Sequence, residues 1–372
     1  MKLVIFGLTI SSSWGNGHAT IWRGLLKAFS ARGHEVVFFE RDVPYYAGCH
    51  RDLQSLEYGS LILYSNWESI RPRALREVSD ADVAMITSYC PDGRAAAELV
   101  LDSAAELKTF YDLDTPVTLA RLEAGEDVPY IPRNGLADFD LVFSYTGGKA
   151  LEGLQSRLGA RAVAPLYGSV DPSVHAPSAP REIFGGDISY LGTYAADRQQ
   201  KLSELFIEPA RLLPENKFII GGAQYPAEFP WTNNIHFVRH LPPADHPAFY
   251  CSSRLTLNVT RQSMAEMGHC PSGRLFEAAA CRTAILSDWW EGLDEFFTAG
   301  EEILIARDNS DTIAALALSE GEIQRVAQAG YEKALSQHTA AHRAEELENI
   351  LTQQLTRAEN ASNSHLTLST SN

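Results

Sequence analysis

Short apolar runs alternate with amphipathic stretches along most of the chain. Residues 3–6 are continuously apolar, which is typical of a β-strand covered on both faces by helices. After a loop of small residues, positions 19–30 carry apolar side chains every three or four residues and predict an amphipathic helix. Residues 35–40 are mostly apolar and predict a second strand. The chain therefore begins with a predicted right-handed βαβ unit.

The same alternation continues to residue 356. Further strands are predicted at residues 61–64, 81–88, 109–111, 141–145, 188–191, 217–220, 235–238, 255–259, 284–286 and 302–305. Helices are predicted at 197–213 and 272–281, and residues 311–356 have a mostly helical pattern. Strands that alternate with helices in this way predict parallel, doubly wound sheets of the α/β class.

The proline content divides the chain into two parts. Pro165, Pro172, Pro177 and Pro180 lie close together, so we predict an interdomain linker at residues 172–181. The predicted order is a Rossmann-like domain at 1–171, the linker, a second Rossmann-like domain at 182–335, a helix at 336–356 and a disordered tail at 357–372. Because ligands bind at the carboxyl ends of parallel strands, two such domains predict a cleft between them.

Composition and charge narrow the functional classes. The 372 residues include 31 Lys+Arg and 47 Asp+Glu, and the net charge of −16 argues against a broad nucleic-acid or anionic-membrane surface. A local phosphate site remains compatible with that charge. The 5 cysteines form no C-x-x-C pair, which indicates reduced thiols. The apolar run at 3–10 is too short for a membrane span and no cleavage site follows it, so we expect a cytoplasmic protein.

The loop after the first strand is the first candidate site. Gly15, Asn16 and Gly17 permit a tight turn whose amides, at a helix start, favour an anion or a polar sugar group. His18 follows and is a candidate general base, with a structural hydrogen bond as the alternative. Glu40 ends the second strand, where dinucleotide-binding proteins carry a ribose-binding acid. A nicotinamide cofactor is therefore an alternative.

Residues 269–282 hold the second candidate site. Ser272 is the expected N-cap of the helix at 272–281, and Gly273 follows it. Arg274 and Glu277 lie three residues apart, so both project from one face near the positive end of the helix. Arginine at this place suits a diphosphate, and a carboxylate one turn later can accept hydrogen bonds from ribose hydroxyls. The alternative is a surface ion pair that contributes little.

A family resemblance adds to these predictions. It rests on Gly-Arg-Leu-Phe-Glu-Ala-Ala-Ala-Cys at 273–281, Ala-Ile-Leu-Ser-Asp-Trp-Trp-Glu-Gly-Leu at 284–293, Gly-Glu-Glu-Ile-Leu at 300–304 and His-Thr-Ala-Ala-His-Arg-Ala-Glu-Glu-Leu at 338–347. These segments resemble the C-terminal module of CgeB-like group 1 glycosyltransferases. The resemblance implies a GT-B fold, in which two Rossmann-like domains face a central cleft and the C-terminal helix packs back on the first domain. It also implies a nucleoside-diphosphate-sugar donor on the second domain and acceptor selection by the first.

The resemblance also assigns roles to single residues. Glu277 corresponds to the family's ribose-binding glutamate, the second member of an E-x7-E motif whose first member falls at His269 in this chain. Arg198 and Lys201 occupy the region where related enzymes place diphosphate-binding cations. Because these two residues are three apart on one predicted helix, an exposed amphipathic face is the alternative.

Asp112 and Asp114 follow the strand at 109–111 as a D-x-D sequence. The interpretations are a divalent metal site, a role at the acceptor or interdomain cleft, and a structural turn. The GT-B resemblance implies that no metal is needed and that the donor is the only nucleotide required. If transfer inverts the sugar's configuration, His18 would deprotonate the acceptor; if it retains it, the leaving phosphate would take that proton and His18 would position substrate.

The expected function is therefore metal-independent sugar transfer to an unidentified acceptor. Three other functions remain alternatives. They are a sugar-nucleotide epimerase or hydrolase of GT-B shape, a NAD-dependent oxidoreductase that uses Glu40, and a non-catalytic nucleotide-binding module. The last would suit a chain that carries His269 in place of a motif glutamate.

Overall fold

A computed structural model describes residues 1–14, 17–48 and 50–369. Contacts between Cα atoms divide the chain into two compact units. The first contains Met1–Ser12, Leu25–Leu166 and Ala341–Asn372, and the second contains Ser13–Gly24 and Tyr167–Ala340. Within the described residues, no helix combines the length and the apolar content that a membrane crossing needs.

The first unit is built on a parallel sheet of seven strands in the order β3-β2-β1-β4-β5-β6-β7. The strands are β1 (Lys2–Gly7), β2 (Glu35–Arg41), β3 (Ser60–Tyr64), β4 (Val83–Thr87), β5 (Leu107–Asp112), β6 (Leu141–Ser144) and β7 (Val163–Pro165). The helices between them are α1 (His18–Ala31), α2 (Pro44–Ala47), α3 (Trp67–Ser79), α4 (Gly93–Leu101), α5 (Thr115–Glu123) and α6 (Lys149–Leu158). The part of α1 up to Gly24 is grouped with the second unit. This is the doubly wound order that strands alternating with helices predict.

Strand β1 is the centre of this sheet. It pairs in parallel with β2 and β4, so Val4 lies between Val37 and Ala84. Residues 3–6 have no exposed surface, which explains why their sequence is a continuous apolar run. The order in which successive strands are added reverses between β1 and β4, although all strands stay parallel, and this point is the topological switch point of the sheet. The predicted βαβ start is confirmed.

The second unit is built on a parallel sheet of six strands in the order β10-β9-β8-β11-β12-β13. The strands are β8 (Gly186–Leu191), β9 (Phe218–Gly222), β10 (Ile235–Arg239), β11 (Ser253–Asn258), β12 (Ala284–Ser287) and β13 (Leu304–Ile305). The helices are α7 (Gln199–Leu202), α8 (Glu208–Leu212), α9 (His246–Cys251), α10 (Gln262–Met267), α11 (Gly273–Ala280), α12 (Asn309–Leu316), α13 (Glu320–Gln337) and α14 (Ala340–Ser369), of which α14 lies almost wholly in the first unit.

Alternate residues of these strands belong to two different hydrophobic cores. Phe218 and Ile220 belong to one cluster, and Ile219 between them belongs to the other. Because side chains of a strand alternate between its two faces, the sheet has a core on each side. The second unit is thus a second doubly wound domain, and the predicted fold class is confirmed in both halves.

Some boundaries differ from the predicted ones. The contact division falls after Leu166, so the stretch predicted as a linker at 172–181 is grouped with the second unit. The helix predicted at 197–213 is a succession of 3₁₀, α and π turns over 196–212. Helix α14 is assigned over Ala340–Ser369, in a sequence that neither glycine nor proline interrupts.

Candidate functional site

A cavity of about 230 Å³ lies at the carboxyl ends of β8, β9 and β10 in the second unit. Its walls come from the residues that follow these strands and from α9 and α11. Ser13, Gly17, Thr20 and Ile21, which are grouped with the same unit, complete them. The carboxyl edge of a doubly wound sheet is where ligands bind in such domains. The cavity is therefore the first place to look for a functional site.

Two backbone segments approach each other closely at the cavity floor. Gly222 has φ 153°, and a Cβ atom on it would lie 2.0 Å from the carbonyl oxygen of Gly192. The Tyr225 hydroxyl donates to that same carbonyl at 3.0 Å. Only glycine fits at position 222, since any side chain would push the ends of β8 and β9 apart.

Arg274 spans the switch point of the sheet. It stands in the first turn of α11, whose N-cap is Ser272, and its Nε donates to the Leu191 carbonyl at 2.5 Å. Its Nη1 donates to Asn258 Oδ1 at 2.7 Å, and the guanidinium lies 5.1 Å from the centre of the Tyr190 ring. These contacts fix the position of a positive charge between β8 and β11.

Asn258 is itself held by hydrogen bonds to the buried residues Ser287 and Asp288. Asp288 accepts hydrogen bonds from the Thr260 amide and hydroxyl at 3.0 Å, and Asn258 Nδ2 donates to Ser287 Oγ at 2.9 Å. Burial raises the pKa of Asp288 to about 6, although the bonds from Thr260 oppose that rise. The arginine is therefore positioned by a network that reaches three strand ends.

Glu277 lies one turn after Arg274 and is the acid that lines the cavity, with its side chain 13% exposed. Burial by itself would raise its pKa, but His175, His246 and Arg274 act in the opposite direction and the pKa is lowered. Tyr250, whose own pKa burial raises, keeps its proton and donates to Glu277 Oε2 at 3.4 Å. The site therefore holds an ionised carboxylate beside a fixed guanidinium.

Arg198 supplies a second cation at the cavity wall. Its Nη1 donates to the Thr193 carbonyl at 3.3 Å, and its Nε is buried without a hydrogen-bond partner. Ser272 and Gly273 line the same wall at the start of α11. Two guanidinium groups, a helix start and an ionised carboxylate can together hold a ligand that carries both a phosphate and hydroxyl groups.

The loop before α1 contributes part of the wall. Gly17 lines the cavity, whereas Gly15 and Asn16 lie outside the described residues. His18 is the first residue of α1, half-buried, and is not among the residues that line the cavity. The Trp14 ring lies 3.5 Å from the ring centre of His240, a wall residue.

Glu40 has a structural role that the nicotinamide alternative does not foresee. It is fully buried, and its carboxylate accepts hydrogen bonds from Thr9 Oγ1 at 2.6 Å, from the Ile10 amide at 2.8 Å, and from the Ser11 amide and hydroxyl at 3.0 and 2.5 Å. A carboxylate with four such donors has little capacity left for a ribose.

Two predicted donor residues lie away from the cavity wall. Lys201 donates to Glu204 at 2.7 Å and to the Arg307 carbonyl at 2.9 Å. His269 has a left-handed backbone and its Nε2 lies 3.0 Å from Glu295 Oε1. Neither residue is among those that line the cavity, so their predicted roles in donor binding stay predictions.

Asp112 and Asp114 belong to the first unit. Asp112 is fully buried at the end of β5, and its Oδ1 accepts from the Asp114 amide and the Thr118 hydroxyl, both at 3.1 Å. Asp114 accepts from the Tyr89 hydroxyl at 2.7 Å. Within the described part of the chain, Asp112 and Asp114 do not belong to a cluster of three or more His, Cys, Asp or Glu side chains close enough to hold a metal ion.

The sequence interpretation missed His175, His246 and Tyr250. His175 falls in the proline-rich stretch assigned to a linker, and the other two lie on the short helix α9 without a local motif. The three side chains surround Glu277 only because the fold brings distant segments together. No spacing rule in the sequence could have identified them.

A comparison with protein-family models finds a match in the second half of the chain. A family model described as glycosyl transferase-like matches residues 198–349. No curated protein sequence matches the chain.

Among solved structures, sucrose-phosphate synthase from Thermosynechococcus elongatus is similar at a TM-score of 0.70 and 12% identity, covering 96% of this chain and 99% of that one. HepE from Anabaena, solved with UDP-glucose, is similar at a TM-score of 0.63 and 12% identity, and the match covers 95% of this chain and 100% of that one. The catalytic domain of starch synthase IV from Arabidopsis thaliana, bound to ADP and acarbose, is similar at a TM-score of 0.64 and 11% identity. That match covers 95% of this chain and 99% of the other. The likeness shows the fold of this chain, and the predicted GT-B fold is confirmed.

Proposed function

We propose that this chain is a glycosyltransferase that moves a sugar from a nucleoside-diphosphate-sugar donor to a hydroxyl or another nucleophile of an acceptor. One observation carries the proposal: Arg274 and Glu277 stand one turn apart in α11 and line one cavity at the carboxyl ends of a parallel sheet. A fixed cation and an ionised carboxylate are thereby available to a single ligand that carries both phosphates and hydroxyl groups.

The donor would bind through three kinds of contact. Arg274 and Arg198 would neutralise the diphosphate, the start of α11 at Ser272 and Gly273 would donate backbone hydrogen bonds to it, and Glu277 would accept hydrogen bonds from the ribose. Of the structural relatives, HepE was solved with UDP-glucose and starch synthase IV with ADP. Uridine and adenosine diphosphate sugars are therefore the first donors to test.

Negative charge grows on the diphosphate as the sugar leaves. Preorganised guanidinium groups stabilise such charge without a metal, so we propose that transfer needs no divalent cation. We keep His18 as the group that deprotonates the acceptor if configuration inverts, or that positions substrate if the leaving phosphate takes the proton.

Acceptor selection is assigned in this proposal to the first unit. Asp114, whose carboxylate is partly exposed, is its proposed polar contact, and the fully buried Asp112 would position it by accepting a hydrogen bond from the Asp114 amide. The segments at 273–281 and 338–347 favour the CgeB-like group of GT-B glycosyltransferases. The acceptor itself is left to experiment.

The test is a transfer assay that follows release of the nucleoside diphosphate. UDP-glucose, ADP-glucose and GDP- and dTDP-sugars are each incubated with the protein and an extract of small metabolites, with and without EDTA. We expect release with one donor base, dependence on the extract, and no loss with EDTA. His18→Ala should lower the rate while leaving nucleotide binding unchanged, and His236→Ala, at an exposed position of β10, is the matched control.

Other outcomes would favour the alternatives. Release at the same rate without any acceptor indicates a hydrolase, and conversion of the donor sugar without release indicates an epimerase. Binding of NAD in place of every nucleoside diphosphate would refute the proposal and restore the oxidoreductase alternative.

A further inference from the structure

Three side chains of the second unit converge beside the cavity in a way that donor binding does not explain. His175 Nε2 and His246 Nδ1 each lie 4.0 Å from Glu277 Oε2, and the three side chains can bring one ligand atom each within 4.8 Å of one another. Their side chains are only 3%, 15% and 13% exposed, respectively. Both imidazole nitrogens are buried and have no hydrogen-bond partner.

The hydrogen bond of His246 distinguishes its two ring nitrogens. Its Nε2 lies 3.3 Å from the Leu241 carbonyl oxygen, which can only accept, so Nε2 carries the hydrogen. In the neutral ring that a metal ion would bind, Nδ1 then presents a lone pair, rather than a proton, to the Glu277 carboxylate. A cation between these two atoms would accept a lone pair from each of them.

We propose that His175, His246 and Glu277 form a binding site for a zinc-class divalent cation. From the distances above, a point equidistant from the three ligand atoms lies no more than about 2.5 Å from each, close to the roughly 2.0–2.2 Å of zinc bonds to imidazole and carboxylate. The remaining difference is about 0.3–0.5 Å for each bond. Two imidazoles and one carboxylate are donors that suit zinc, cobalt or nickel rather than magnesium.

The site has three protein ligands and an open direction. His246 and Glu277 line the cavity, so a fourth ligand could enter from it. Because Glu277 is also the carboxylate proposed for the ribose, a bound cation and a bound donor would compete for it. This consequence rests on the proposed function, whereas the metal site does not, and the cation would then act as an inhibitor of transfer rather than as its cofactor.

Cobalt spectroscopy tests the site directly. Protein without an affinity tag is dialysed against EDTA, freed of chelator and titrated with Co²⁺, and the visible absorption of low-coordinate cobalt is followed, then its displacement by Zn²⁺. Nucleotide is left out, so a failure of donor binding cannot be mistaken for a failure of the metal site.

We expect wild-type protein and His236→Ala to develop the absorption with one equivalent of metal. His175→Ala and His246→Ala should each weaken zinc binding at least about tenfold. If either alanine variant fails to fold, by circular dichroism, Glu277→Gln provides the same test because a neutral amide is a poor zinc ligand. Absence of the band in folded wild-type protein, or undiminished binding in the folded variants, would overturn the proposal.

Discussion

Asp112 gives the sharpest prediction about stability. The side chain is fully buried in the first unit, and its Oδ2 has no hydrogen-bond partner. Burial raises the pKa of Asp112 from 3.8 to about 6, although hydrogen bonds from the Asp114 amide and Thr118 act against the rise. The folded chain therefore holds this proton more tightly than the unfolded chain does.

The sign and size of the effect follow from proton linkage. As pH rises from about 4 through 6, the unfolded chain loses the proton first, so the free energy of unfolding decreases, and above about pH 7 the loss is complete. At about 1.4 kcal/mol for each tenfold change in proton affinity, the change in pKa from 3.8 to about 6 corresponds to about 3 kcal/mol.

Asp112→Asn removes the charge but keeps one acceptor for the two existing hydrogen bonds. Its new amide group would be buried without a partner, at a cost of about 1 kcal/mol. We expect the variant to be about 2 kcal/mol more stable than wild type at pH 8 and slightly less stable at pH 4. Urea unfolding followed by circular dichroism between these two pH values measures the difference.

The control is Asp138→Asn, at an exposed position of the same unit, which should follow the wild-type pH profile. The reasoning would be refuted if the stability difference between Asp112→Asn and wild type were the same at pH 4 and pH 8. It would also be refuted if the variant lost stability as the pH rose.

Two further substitutions test packing. Gly222→Ala places a Cβ atom 2.0 Å from the Gly192 carbonyl oxygen, so thermal unfolding should occur at lower temperature and nucleotide affinity should fall; unchanged affinity would contradict the described cavity floor. Leu351→Ala on α14 removes a fully buried side chain and should cost about 2–5 kcal/mol in urea unfolding, whereas a cost below about 0.5 kcal/mol would contradict the packing of α14 in the first unit.

Most strands of both sheets could be predicted because parallel strands are buried on both faces and leave continuous apolar runs. Strand β7 was missed because Val163–Pro165 is short, half-buried and contains proline, which an edge strand tolerates. Helix α14 continues past residue 356, where the sequence is polar but contains no helix-breaking residue.

Some residues of the candidate site could be predicted from local spacing, and others could not. Arg274 and Glu277 share one helix turn, so their spacing alone predicts that they point together, and both line the cavity. For Lys201 the sequence did contain a signal for a different partner, since Glu204 lies three residues later and the two form an ion pair. His175 and His246 come from segments distant in sequence, and only the fold brings them to Glu277.

The central claim is that Glu277 and its neighbours bind the ribose and diphosphate of a sugar-nucleotide donor. Isothermal titration of UDP and ADP into wild-type protein, in buffer with EDTA to exclude bound metal, tests it most directly when repeated with Glu277→Gln. Glu301→Gln, at an exposed position of the same unit, is the matched control. We predict that one nucleotide binds wild type and the control equally and binds Glu277→Gln at least about tenfold more weakly, because a charge-assisted hydrogen bond contributes about 1.5–3 kcal/mol. Equal affinity in Glu277→Gln, or no binding of any nucleoside diphosphate to wild type, would contradict the claim.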